Sequence, residues 1–325
     1  MFQFIEFLRA LATALVLNSH MKGVYPSDVV SFGGGFGLAL FYMISGYLLA
    51  NIKISTKFPK WYLKKVTRLY IPLLIVRILE IIVGYLSYTS INGVFRGLVF
   101  PGTWFGASLL ILYPCYYLIV KFGYLKKGTR IIWSTLFINM LIFTALYISK
   151  VKIGIFSIQT LSFAEEFSVE TPYLISFCVW FSSMLIGFLI RKRKYVVRSD
   201  KAKICCFLLS VVCLGIFMAV RVVDSIDLQF LLPLSYLGFS YGQFDLLMSL
   251  DENIVKISDK NLIKKLFFTV SKCSLEIFYI QFMWIDWLKN IAFPLNWLLI
   301  VACTIISGFA VNLVSTYLQK CLWGK

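Results

Sequence analysis

Ten apolar runs of about 20 residues, each long enough to cross a bilayer as a helix, follow one another with short polar breaks. They lie near 4–21, 32–50, 70–88, 103–120, 131–149, 172–190, 204–221, 229–249, 267–288 and 295–317. A water-soluble domain does not tolerate such a series, because about a quarter of its residues are normally charged. Here 14% are charged and 60% hydrophobic, with a mean hydropathy of +0.84. The pattern predicts an all-α, polytopic integral membrane protein of about ten transmembrane helices. The longest break, about 150–171, reads as a loop. With no repeat or low-complexity tract visible, a single membrane-embedded domain over residues 1–325 is expected.

The net charge of +17 would suggest nucleic acid in a soluble chain. The placement of the cations gives another reason for it. With the N-terminus inside, 23 of the 32 Lys and Arg fall in cytoplasmic loops and the tail, including the run RKRK from Arg191 to Lys194. The opposite loops hold only Lys22, Arg96, Lys150, Lys152, Arg221 and Lys289. This is the positive-inside bias, so both termini are expected in the cytoplasm and no nucleic-acid partner is expected. The first run has no basic leader or small-residue cleavage site and carries Arg9 in its middle, which predicts a retained helix rather than a signal peptide. The eight cysteines lie almost all within runs, without CxxC or metal-ligand spacing, and read as small buried hydrophobes. No metal site is expected.

Charges inside a membrane helix are costly and mark candidate sites, with pairing as the plain alternative. The first helix is the richest case. Arg9 and His20, the chain's one histidine, are eleven residues apart. That is about three turns plus 20°, which puts them on one face some ~16 Å apart along the axis. Ala12, Thr13 and Val16 between them are slim, which predicts a groove. An elongated ligand with an anionic head and a distant reactive end suits this geometry, and coenzyme A is such a molecule: its phosphates match a guanidinium and its thin arm reaches an imidazole able to take a proton. The plain alternatives are an Arg9–Glu6 salt bridge and an idle interfacial histidine.

The second run, FGGGFGLALFYMISGYLLA, opens with Gly33, Gly34, Gly35 and Gly37. No strand surrounds these glycines, so close helix packing is expected rather than a dinucleotide fingerprint. Ser45 and Gly46 near its inner end offer a ligand close approach to the backbone. The following loop, KFPKWYLKKVTRLYIP, places Lys64, Lys65 and Arg68 just before the third span, for phosphate binding or as ordinary positive-inside topology. Arg77 and Glu80 are at i,i+3 and are expected to pair. Lys272 is expected to pair with Glu276 at i,i+4 or with Asp245. Trp104 reads as an interfacial anchor or an acceptor-side residue, and Tyr279, Gln281 and Asp286 as acceptor-side or supporting residues.

In order along nearly the whole chain, IEFLRALATALVLNSH, GLALFYMISGYLL, KKVTRLYIP, TWFGASLLILY and SLEIFYIQ resemble acyltransferase family 3 of bacterial integral membrane proteins. The resemblance implies an O-acyltransferase, a multi-pass protein of the bacterial inner membrane in contact with membrane lipid. Cytoplasmic acetyl-CoA would be the donor, and a hydroxyl of a surface polysaccharide such as O-antigen, or of its lipid-linked precursor, the acceptor. By the matching positions His20 would be catalytic and Arg9 its companion, with Arg9, Thr13, Ser45, Lys65 and Arg68 toward the acyl-CoA. The late motif often ends in histidine, and here that position is Gln281, which throws the base role onto His20. The imidazole would either deprotonate the attacking hydroxyl or itself carry the acyl group. The rival reading is a transporter or flippase for a lipid-linked sugar, which predicts inverted repeats and interrupted helices in two halves. The sequence shows no such symmetry.

Overall fold

The computed structural model describes residues 3–52, 57–87, 104–148, 161–162, 168–169, 171–193, 199–223, 228, 230–258 and 260–324. Most of the loop near 150–171 lies outside the described residues, as do Lys53, Arg96, Lys150, Lys152, Lys194, Arg198 and Lys325. The major helices are α1 (Gln3–His20), α2 (Gly34–Leu49), α3 (Phe58–Ile82), α4 (Trp104–Leu118), α5 (Thr129–Ile148), α6 (Thr171–Lys192), α7 (Asp200–Val223), α8 (Leu231–Ser249), α9 (Leu262–Lys272), α10 (Ser274–Leu288) and α11 (Leu295–Trp323). Apart from short helical turns, the other regular structure among the described residues is a two-residue antiparallel pair, Leu161–Ser162 with Ser168–Val169.

Each predicted run falls on a helix, the ninth on the pair α9 and α10. Length and apolarity nonetheless single out five crossing helices among the described residues: Asp28–Leu49, Ser108–Lys127, Thr129–Tyr147, Asp200–Val223 and Leu295–Trp323. Counting α9 and α10, bent by 85°, as one broken span makes six. The physical reason for the smaller number is visible in α1 and α3. The first carries Gln3, Glu6, Arg9, Asn18, Ser19 and His20, and the first half of the second is basic. The chain is a multi-pass membrane protein whose less apolar helices carry its polar groups.

The chain divides into two compact units. The first comprises Met1–Gly37, Thr56–Pro114 and Asn253–Lys325. In it, Phe7 of α1 stacks on Phe267 of α9 with centroids 4.8 Å apart, and Leu17, Met21, Val24, Ile285 and Ile300 form a buried apolar cluster. Asn261 caps α9 by accepting from the amides of Ile263 and Lys264. The bend after Lys272 frees a carbonyl that hydrocarbon would leave unsatisfied, and Asn312 Nδ2 of α11 donates to it at 3.1 Å.

The second unit comprises Leu38–Ser55 and Cys115–Glu252. There α2 and α6 meet backbone to backbone. A Cβ on Gly46 would collide with the Met184 carbonyl, and one on Gly187 with the Met43 carbonyl. The close approach that Gly46 permits is thus made by a helix rather than by a ligand. Because neither backbone can yield without parting the helices, Gly187→Leu is expected to destabilise the protein by about 1–3 kcal/mol. Gly215→Leu, where an added Cβ meets nothing within 4 Å, serves as the control. Thermal unfolding of the detergent-purified variants is the measurement, and equal midpoints for the two would disprove the packing role.

Candidate active site

The end of α1 is built to hold one conformation. Ser31 Oγ lies 3.2 Å from the carbonyls of both Asn18 and Ser19 and shares its one proton between these orphan acceptors of the last turn. Asn18 Nδ2 donates to the carbonyls of Val30 and Phe32 at 2.8 and 2.9 Å, and Tyr25 Oη donates to Asn18 Oδ1 at 2.5 Å. The segment after α1 is thereby tied back over its terminus, where His20 is the last helical residue. The half-buried imidazole meets Phe282 of α10 edge-on, with centroids 4.7 Å apart. Among the described residues it has no hydrogen bond or ion pair, so both ring nitrogens are uncommitted to the fold.

Arg9 lies lower on the same unbroken helix. Its Nη1 is 3.7 Å from Glu6 Oε1, a loose ion pair. The close partner of Glu6 is instead Ser271 of α9, whose hydroxyl donates to Oε2 at 2.5 Å. Arg9 is also within electrostatic range of Arg68 and of the Tyr113 hydroxyl. Arg68 acts in turn on Lys65, whose ammonium, ahead of the apolar part of α3, is held down to about 8 by burial first and by Arg68 second. Arg9, Lys65 and Arg68 therefore gather at one end of the Arg9–His20 line. Glu6 is within electrostatic range of Arg9 and Glu276 of Arg68, so three cations against two carboxylates leave the balance of the region positive and suited to an anion.

Of the slim residues on α1, Thr13 turns its hydroxyl back to the Arg9 carbonyl at 2.8 Å. Ala12 and Val16 are fully buried. An added Cβ on Gly37 would strike the Ala12 carbonyl and Val16 Cγ2 at 2.6 and 2.7 Å. The small side chains here admit the first turn of α2, as the glycine run predicts, which closes that flank of the expected groove.

On α10, Tyr279 is 3% exposed and its hydroxyl has no hydrogen-bond partner among the described residues. Glu276, Tyr70, Tyr113 and Arg77 stand within electrostatic range of it. Gln281 is fully buried, donates from Nε2 to the Phe278 carbonyl at 3.2 Å and leaves Oε1 without a partner among the described residues. Asp286 is exposed and engaged on both oxygens, by Tyr85 Oη at 2.7 Å and Lys289 Nζ at 2.9 Å. Trp104 opens α4, and its side chain lies outside the described residues. Ser45 is half-buried on the part of α2 that belongs to the second unit. The first unit thus holds Arg9, Thr13, His20, Lys65, Arg68, Tyr279, Gln281 and Asp286.

Among the expected ion pairs, Arg77–Glu80 forms at 2.7 Å. The Lys272–Glu276 and Lys272–Asp245 pairs do not. The bend at Cys273 takes Lys272 off the axis of α10, Glu276 Oε1 accepts from Asn312 and Ser315 at 3.0 and 3.1 Å, and Asp245 pairs with Arg193. Sequence reasoning passed over Asn312 and Ser315, although the rule that flags polar groups in spans applies to them at i,i+3 of the last helix.

Residues 2–317 match the family described as "Acyltransferase domain", the model of acyltransferase family 3. The chain belongs to acyltransferase family 3. No curated protein and no solved structure matches it. Membership at this coverage makes the protein a membrane acyltransferase that moves groups other than aminoacyl groups.

Proposed function

We propose that this acyltransferase takes an acetyl group from cytoplasmic acetyl-CoA and delivers it to a hydroxyl of a cell-surface polysaccharide or its lipid-linked precursor. In this reading residues 1–325 work as one domain of the bacterial inner membrane, with both termini in the cytoplasm. The observation that carries it is the unbroken helix α1, with Arg9 among the cations Lys65 and Arg68 and an uncommitted imidazole about 16 Å along. The cations take the phosphates of the donor, a planar guanidinium matching a phosphate bidentately. Thr13 flanks the donor arm, while Trp104, Tyr279, Gln281 and Asp286 support the acceptor side.

As the sugar hydroxyl attacks the thioester carbonyl, His20 takes its proton. The C–S bond then breaks and the departing thiolate is protonated, yielding the ester and free coenzyme A. In the two-step route the imidazole attacks the thioester carbonyl first, the C–S bond breaks and coenzyme A leaves as the thiol. The hydroxyl then attacks the acyl-histidine, the C–N bond breaks and the hydroxyl proton returns to the free imidazole. The test is mass spectrometry of surface glycans from cells with and without the gene. Loss of an O-acetyl increment on deletion, restored by the gene in trans, is expected. Identical glycan masses together with no acetyl-CoA consumption by the purified protein would overturn the assignment.

A further inference from the structure

The second unit holds a cavity of about 640 Å³ between α5, α6 and α8, well removed in sequence from Arg9 and His20. Its lining is ordered by polarity. On α5 it runs Thr129, Trp133, Leu136, and on α6 Ile186, Leu189, Ile190 and then Lys192 and Arg193; α8 contributes Leu237, Gly238 and Tyr241. The spacings i, i+4, i+7 on α5 and i, i+3, i+4, i+7 on α6 each trace one helix face over about 10 Å. The polar members all fall at one end, where α5 begins and α6 ends.

The charge at that end is specific. Arg193 is pinned by its ion pair with the buried Asp245 and donates from Nη1 to Tyr241 Oη at 3.3 Å. A guanidinium has five N–H donors, so this fixes its plane and leaves donors for a further acceptor. Lys192 donates to Asn51 Oδ1 at 3.2 Å and lies over the rings of Tyr124 and Phe188. These neutral groups orient the ammonium without cancelling its charge. Thr129 adds a hydroxyl and the positive end of the α5 dipole. The remaining wall is almost wholly hydrocarbon, with the exposed indole of Trp133 on it.

We propose that this cavity is a binding site for an anionic glycerophospholipid, with its phosphate at the Lys192, Arg193 and Thr129 end and an acyl chain along Trp133, Leu136, Ile186 and Leu237. A water-soluble phosphate ester would gain nothing from the apolar wall. A neutral lipid would bring no net negative charge to the Lys192 and Arg193 end. Basic pockets between membrane helices take anionic headgroups for this reason. The site is independent of the acyl-transfer reading and concerns how the second unit is held in the membrane.

The test uses the purified, delipidated full chain in neutral detergent, titrated with phosphatidylglycerol or phosphatidylcholine and read by native mass spectrometry. Phosphatidylglycerol is expected to bind about tenfold more tightly than phosphatidylcholine. Lys192→Gln should bring the two within about threefold, and Lys192→Arg should keep the preference, which guards against misreading a folding defect. Leu237→Trp, which fills the wall, should lower occupancy by both lipids. Equal binding of the two lipids by the parent, or an undiminished preference in Lys192→Gln, overturns the proposal. So does competition by inorganic phosphate at the concentration of phosphatidylglycerol, which would mark a headgroup-only site. Preferential displacement of phosphatidylglycerol by a polyprenyl phosphate would also overturn it, in favour of a carrier-lipid site.

Discussion

His20→Gln is expected to bring acyl transfer by the purified protein below detection while leaving its thermal unfolding and coenzyme A binding close to parental. The expectation of an intact fold comes from the structure. Among the described residues the His20 ring makes one ring contact, with Phe282, while the terminus of α1 is held by Ser31, Asn18 and Tyr25. The expectation of lost activity comes from chemistry. A positioned general base contributes about 10²–10⁴ in rate, and the chain has no other imidazole. Gln281, where the family often has histidine, carries an amide that exchanges no proton near neutral pH. Glutamine at position 20 keeps most of the size and hydrogen bonding of the ring and removes the titratable nitrogen. Transfer by His20→Gln at near the parental rate would remove His20 from the chemistry under both the direct and the acyl-histidine routes. Suspicion would then pass to a substrate-assisted route, because Asp286 is already bound by Tyr85 and Lys289.

The helices were legible in the sequence because each buries its own backbone polar groups, so an apolar run of sufficient length is by itself a structural signal. That signal fails where a helix bends. Nothing in SKCSLEIFYIQ announces an 85° turn at Cys273, and the turn depends on Asn312, forty residues later, to satisfy the Lys272 carbonyl. It also cancels the i,i+4 pairing of Lys272 with Glu276, which presupposes one straight helix.

Within the site, the cations and the imidazole were legible as types and spacings, since α1 is a continuous helix and a 3.6-residue period carries their phase. What covers each face was not. The slimness of Ala12 and Val16 reads equally as a groove or as room for a neighbour, and only the position of Gly37 decides for the neighbour. The same holds for Arg9 and Glu6. Three-residue spacing predicts a salt bridge, yet a serine on a helix 265 residues away is the closer partner of the carboxylate.

That division of partners leads to the second large effect, at Arg9. If Arg9 served chiefly to neutralise Glu6, removing either charge would produce the same defect. Its guanidinium stands 3.7 Å from the carboxylate, beyond hydrogen-bonding reach, and within electrostatic range of the like-charged Arg68, which an arginine kept only to neutralise Glu6 does not need. Arg9→Ala is therefore expected to weaken acetyl-CoA binding by about 10- to 100-fold, the loss of one or two hydrogen bonds to a charged group. Arg9→Lys should recover part of this, since an ammonium keeps the charge and loses the planar fork. Glu6→Gln preserves the Ser271 hydrogen bond and the shape of the side chain, and it should leave donor affinity near parental. Isothermal titration of each purified variant with coenzyme A reads all three. A loss in Glu6→Gln as large as that in Arg9→Ala would make Arg9 a structural partner of Glu6 and take it out of the donor site.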